Sequence, residues 1–256
     1  MITDAVYAAD GTRIVYHTTG SGPPVLIVHG TLATTAMYEP LARSLARHYR
    51  VALMERRGCG VSGDGQRPAT FAMQAMDIAA VLAAMAEPGY VFGHSAGGLA
   101  VLRALTDATP RPRAVALYEP PASLAGAPLL PVLTRCRDLV GDGRGTDAIV
   151  TFLSSTSEPH SSLRQVATIL EHRAHGMIED LECMTAMTTG PGRWSPGGTP
   201  ILLLTGGESD EHAKRSTRLL QHELPVRDTV VLPGQGHQPS DPEPVAAALY
   251  AFFSRH

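Results

Sequence analysis

The run Tyr90-Val91-Phe92-Gly93-His94-Ser95-Ala96-Gly97-Gly98-Leu99-Ala100-Val101-Leu102 decides how this chain folds. Three β-formers, Tyr90, Val91 and Phe92, lead in, and the apolar residues from Ala96 onward lead out as a helix start. Between them, Gly93-His94-Ser95-Ala96-Gly97 has the form G-x-S-x-G, a pattern that carries weight only in such a strand-to-helix setting. A chain that reverses so sharply strains the backbone of its turn residue, and only small neighbours leave room for it. Gly93, Ala96 and Gly97 leave that room, so the Ser95 hydroxyl projects from the top of a sheet. The N–H groups that follow open a helix, where donors lack intrahelical partners and the dipole favours negative charge. Ser95 is therefore a candidate nucleophile beside a ready oxyanion site. A Gly-rich turn with an incidental serine is the alternative, and the flanking strand and helix argue against it.

Outward from this turn, strands alternate with helices. Residues 5–8 and 12–17 flank Asp10-Gly11, a hairpin signal. Val25-Leu26-Ile27-Val28 is a continuous aliphatic run of the kind buried on both faces of a parallel sheet, and it ends in His29-Gly30-Thr31. Apolar spacing predicts a helix over 37–48, a strand over 51–54, and a helix over 71–85 that delivers the chain to Tyr90. Further strands are expected at 114–118, 201–204 and 229–232, with helices over 211–222 and 242–253. This alternation predicts an α/β fold, a mostly parallel, doubly wound sheet with helices on both faces. Residues 121–196 break the rhythm, because strand patterns are lacking and 129–139, 147–153 and 162–188 read as helical. They are expected to form a helical lid over the C-terminal edge of the sheet, where open α/β sheets take their ligands. Residues 1–120 and 197–256 would then be the core of a single domain.

Composition narrows the function classes. With 256 residues, 44% hydrophobic and 18% charged, the chain has enough apolar material for one sizeable core. A net charge of −3 and the absence of a basic stripe argue against nucleic acid as partner. No apolar run is long enough to span a bilayer, and Met1-Ile2-Thr3-Asp4-Ala5-Val6 does not read as a secretory leader. Cys59, Cys136 and Cys183 are odd in number and far apart, so they read as free thiols in a reducing compartment, with the cytoplasm as the default. The sequence leaves the oligomeric state open.

Four motifs in order resemble the α/β-hydrolase superfamily over nearly the whole chain. They are His29-Gly30 after the third strand, Arg57-Gly58-x-Gly60-x-Ser62 after the fourth, Gly93-His94-Ser95-Ala96-Gly97 after the fifth, and Gly234-Gln235-Gly236-His237 after the last. The resemblance implies an eight-stranded core, a Ser–acid–His triad in that chain order, a lid inserted after strand six, and a structural role for Arg57.

Eleven histidines compete for the role of base. His94 adjoins Ser95 along a strand and should point away from it, and His29 is placed to hold the oxyanion turn. His17, His48 and His256 fit surfaces or termini, while His160, His172 and His175 fall in the expected lid. His172 and His175 lack a third ligand at a recognised metal spacing. His237 follows a strand on a Gly-rich loop at the edge where Ser95 emerges, and is the expected base. For the acid, the resemblance implies a G-x-x-D slot after strand seven, but here that slot falls on Ser209, with Glu208 and Asp210 on either side. Glu119 ends the apolar strand Ala116-Leu117-Tyr118, where an ionisable group is costly unless paired. Some relatives, haloalkane dehalogenases among them, place the acid at that strand-six position. Glu119 is therefore preferred, with Asp210, a possible N-cap, and then Glu208 or an incomplete triad as alternatives. Backbone N–H groups of Thr31 and Ala96 are the expected oxyanion donors. The Thr31 hydroxyl is either a third donor or a helix cap, and Asp241 is a further cap.

The expected activity is hydrolysis of a small, apolar carboxylic ester or thioester by a serine nucleophile, without metal or organic cofactor. Leu124, Leu129, Leu130, Leu133, Phe152, Leu153, Met177, Leu181, Met184 and Met187 suggest an apolar pocket in the lid, although such residues in helices are most often core. A lyase, cofactor-free oxygenase or perhydrolase using the same Ser–His pair, and a ligand receptor without turnover, are the competing readings.

Overall fold

In the computed structural model, which describes residues 1–65, 68–107, 109–156, 162–188 and 194–256, aliphatic runs become strands buried on both faces. In chain order the strands are β1 (Ile2–Tyr7), β2 (Arg13–Thr19), β3 (Pro24–Val28), β4 (Arg50–Met54), β5 (Tyr90–His94), β6 (Ala114–Tyr118), β7 (Ile201–Gly206) and β8 (Val226–Leu232). They form one sheet in the order β1-β2-β4-β3-β5-β6-β7-β8. The β1–β2 and β2–β4 pairs are antiparallel and the rest are parallel. Every residue of β3, β5, β6 and β7 is buried, as expected for strands covered on both sides.

The helices are α1 (Glu39–Leu45), α2 (Phe71–Ala84), α3 (Ala96–Asp107), α4 (Leu130–Gly141), α5 (Gly145–Thr156), α6 (Leu163–Ile169), α7 (Ala174–Thr185), α8 (Glu211–Glu223) and α9 (Pro242–Phe253). Side-chain alternation along the strands splits the core into two layers. Val25, Ile27, Tyr90 and Phe92 pack with Leu41 and Leu45 of α1 and with Leu249, Phe252 and Phe253 of α9. Leu26, Val28 and Val91 face the other way, toward Ile78 and Leu82 of α2 and Leu99 and Leu102 of α3. Each such fully buried side chain contributes about 1.5–3 kcal/mol from apolar burial. The strand order reverses between β3 and β5, so the C-terminal ends of these two strands open the crevice in which doubly wound sheets bind ligands. His29-Gly30-Thr31 leaves one side of that crevice and Ser95 the other.

Two expected helices come out differently. The pattern over 37–48 resolves into a 3-10 turn, Thr35–Tyr38, and the short α1, because Pro40 takes the N1/N2 position and forces the helix to begin there. Residues 162–188 are two helices, α6 and α7, separated by the 3-10 turn Glu171–Arg173. The expected apolar pocket residues are mostly core. Leu129, Leu133, Phe152, Met177, Leu181 and Met184 are buried in the same cluster as α2 and α3, while Leu130 is exposed. Among the described residues, no helix is long and apolar enough to cross a membrane.

Candidate active site

Ser95 stands between β5 and α3 with φ 52°, a left-handed backbone that a serine adopts only when its surroundings enforce it. Enforcement comes from both sides. The Ser95 N–H donates to the Tyr118 carbonyl at 2.9 Å, and the Ser95 carbonyl accepts from the Gly98 N–H at 2.9 Å. A side chain at Gly97 would meet the His29 carbonyl oxygen at 2.3 Å, so the missing Cβ is what lets α3 press against the end of β3. At Gly30 a Cβ would lie 2.9 Å from Ser95 Cβ, so the turn after β3 touches the serine directly. Ala96 opens α3, whose first N–H groups have no intrahelical acceptor.

The imidazole of His237 meets both partners. Its Nε2 lies 3.1 Å from Ser95 Oγ, and its Nδ1 lies 2.7 Å from Glu119 Oε2. Glu119 follows β6 with φ 47° and is buried, with its other oxygen accepting from the Thr205 hydroxyl at 2.8 Å and the Gly206 N–H at 2.7 Å. Burial alone would raise the Glu119 pKa, but the hydrogen bond and charge of His237, together with the Gly206 N–H, outweigh it and hold the carboxyl at about 2. Of the two alternative acids, Asp210 occupies the N-cap position of α8 without a capping hydrogen bond from its side chain, and Glu208 is exposed. Asp241 caps α9 by accepting from the Glu243 N–H.

Two tyrosine- and histidine-bearing strands hold the His237 loop by its backbone. Tyr118 Oη donates to the Gly236 carbonyl at 2.7 Å, and His94 Nε2 bonds the His237 carbonyl at 2.8 Å. His94 is buried, and that burial lowers its pKa to about 3, so the ring is neutral. His29 is likewise buried, with its pKa lowered to about 3. Its Nδ1 bonds the Gly30 carbonyl and its Nε2 accepts from the Arg56 N–H. These anchors were invisible in sequence as partnerships. The signal was that a buried Tyr must find a partner for its hydroxyl.

Thr31 is half-buried, and its hydroxyl, sealed from solvent, has no hydrogen-bond partner among the described residues. The neighbouring Leu32 has φ 61°, and its carbonyl accepts from Arg173 Nη1 at 3.0 Å. Arg56 forms a two-point ion pair with Asp180 of α7, at 2.8 and 2.6 Å, and Arg57 bonds both Asp77 and Asp10. Between these loops and α7 lies a cavity of about 380 Å³, whose walls include Leu32, Arg56, Cys59, His172, Arg173 and His175, but neither Ser95 nor His237. His172 and His175 are exposed, and His160 lies outside the described residues. No group of three His, Cys, Asp or Glu among the described residues is arranged to hold a metal ion.

Known proteins share this architecture. The chain is 26% identical, over 91% of its length and 96% of the relative's, to the pimeloyl-[acyl-carrier protein] methyl ester esterase of Xanthomonas campestris pv. campestris. The structure of an alpha/beta hydrolase from Sphaerobacter thermophilus superposes with a TM-score of 0.85 at 30% identity, covering 98% of this chain and 100% of that one. An esterase from Exiguobacterium antarcticum shares the fold at a TM-score of 0.78 and 19% identity, with 99% and 100% coverage. The profile of the alpha/beta hydrolase family matches residues 25–248. With strand order, crevice and motifs in agreement, this chain belongs to the alpha/beta hydrolase family.

Proposed function

We propose that this protein is a serine hydrolase of a small, apolar carboxylic ester or thioester. The reading is carried by one observation, the Glu119–His237–Ser95 chain of contacts at 2.7 and 3.1 Å. A hydroxyl is a weak nucleophile until a base takes its proton, and these distances are within reach for that transfer. Ser95 Oγ attacks the acyl carbonyl while His237 Nε2 takes its proton and then returns it to the leaving alcohol or thiol. Glu119 accepts the Nδ1–H, fixing the tautomer and stabilising the imidazolium. Backbone N–H groups of Thr31 and Ala96 hold the oxyanion. Water activated by His237 then releases the acyl group.

Residues 121–196, with α4 to α7 between β6 and β7, act in this reading as a lid that sets selectivity over a core of residues 1–120 and 197–256. The names of the curated relative and of the Exiguobacterium neighbour favour an ester as the bond cleaved. The mechanism needs no cofactor, and three free cysteines suit a reducing cytoplasm. The test is labelling by a fluorophosphonate probe beside a panel of activated esters and acyl thioesters of increasing chain length. Wild type should label and turn over, and Ser95→Ala should do neither. Equal labelling of the two would refute the assignment.

A further inference from the structure

We propose that Tyr38 and His94 are positioning residues, forming a directed hydrogen-bond chain that ties the oxyanion turn at Gly30 to the backbone of His237. The inference deepens the serine-hydrolase reading and rests on it. Tyr38 ends the 3-10 turn after β3, and its hydroxyl bonds His94 Nδ1. The same oxygen accepts from the Gly30 N–H at 3.4 Å, and on the far side of the ring His94 Nε2 meets the His237 carbonyl at 2.8 Å.

The direction of the chain follows from what each group is able to do. A carbonyl only accepts, so His94 Nε2 carries the hydrogen. A neutral imidazole has one N–H, so Nδ1 accepts and the Tyr38 hydroxyl donates to it. The Tyr38 oxygen is then left as acceptor for the Gly30 N–H. One assignment satisfies every donor and acceptor, and the opposite tautomer would set a bare Nε2 lone pair against the His237 carbonyl. Both rings are buried. Burial pushes the Tyr38 phenol up and the His94 imidazole down, so neither changes charge in the range where esters are assayed.

Each end of the chain lies against the reacting groups. Gly30 touches Ser95, as the 2.9 Å approach of a Cβ placed there shows, and His237 carries the base. The Tyr118 bond to the Gly236 carbonyl anchors the same loop but does not reach the oxyanion turn. Packing alone does not fix the two rings, because a cavity of about 160 Å³ borders Tyr38 and His94 beside Gln238, Pro239 and Ser240. Without the hydrogen bonds the rings have space to shift, and the base loop with them. A displacement of the base by a fraction of an ångström is felt in turnover rather than in substrate binding.

The test combines kinetics with a spectrum. Tyr38→Phe keeps the ring and its volume. It should lower kcat about tenfold and slow fluorophosphonate inactivation in parallel, with KM within about twofold of wild type. His94→Phe should lose at least as much, and the Tyr38→Phe/His94→Phe pair no more than His94→Phe alone, since the two break one chain. His94→Gln, whose amide offers a donor to His237 and an acceptor to Tyr38, should recover most of kcat. Long-range proton–nitrogen spectra of labelled histidine should show His94 as the Nε2–H tautomer in wild type, a readout independent of turnover. A His94 found as Nδ1–H, a folded Tyr38→Phe with wild-type kcat, or additive losses in the pair would overturn the proposal. A wild type that neither labels nor hydrolyses would refute the serine-hydrolase reading itself, and the spectrum would still judge the chain.

Discussion

Left-handed backbone at non-glycine residues is concentrated at this site. Of the four such residues among those described, Leu32 follows the candidate oxyanion turn, Ser95 is the candidate nucleophile and Glu119 the candidate acid, with only Ala86 elsewhere. Ser95 and Glu119 are held there by N–H bonds to the Tyr118 and Leu204 carbonyls at the ends of β6 and β7, a pattern expected where geometry serves chemistry. Ser95 was legible in sequence because its small neighbours announce the strained turn. Glu119 was legible for a different reason, the cost of ending an apolar strand in a carboxylate. What the sequence hid was the partner set of that carboxylate. Thr205 and the Gly206 N–H reach it from β7, 86 and 87 residues away, and no local pattern points to them. Glu119→Gln should therefore lower kcat by roughly 10³- to 10⁴-fold, because an amide facing Nδ1 stabilises the wrong tautomer. Asp210→Asn should stay within about threefold of wild type, a helix-cap position being worth little to the chemistry. Steady-state assays of the two variants on one activated ester decide between them.

At the level of elements, helix existence was readable from apolar spacing and helix ends were not. Pro40 delayed α1, and the turn Glu171–Arg173 divided what periodicity had joined. Nor did spacing show how α7 meets the core. Asp180 and Arg56 are 124 residues apart and both nearly sealed from solvent, with side-chain exposures of 6% and 3%. Arg173, just before α7, donates to the Leu32 carbonyl beside the His29-Gly30-Thr31 turn. Removing one member of a buried pair leaves the other charge without compensation. Asp180→Ala should cost about 3–5 kcal/mol of unfolding free energy, whereas Arg56→Met with Asp180→Leu should cost clearly less than the two single changes added together. Urea denaturation of the three variants measures this, and a Tm shift in the same order should accompany it.

For the molecule as a whole, the sheet was legible because two periods coexist in the sequence. Continuous aliphatic runs mark the parallel centre, and the Asp10-Gly11 hairpin marks the antiparallel edge. The crevice between β3 and β5 follows from strand order, which no local sequence pattern carries. Helices α4 to α7 were readable as helical but not as an extension of the α2–α3 core layer, since burial partners are a property of the assembled fold. Stability should carry the signature of Glu119. Its carboxyl sits at about 2 in the folded protein against 4.5 when unperturbed, so its contribution is complete above about pH 4.5 and is lost as pH falls toward 2. Between pH 5 and pH 3 the urea midpoint of wild type should fall more than that of Glu119→Gln, and equal falls would remove Glu119 from the acid transition.

His237 arrives 142 residues after Ser95, beyond the last strand to join the sheet. In the proposed mechanism the Ser95 hydroxyl is therefore synthesised well before its base, and such distant pairings form late. On that reading a partly made chain would carry an inert alcohol, and docking β8 at the sheet's far edge would bring the candidate base to it.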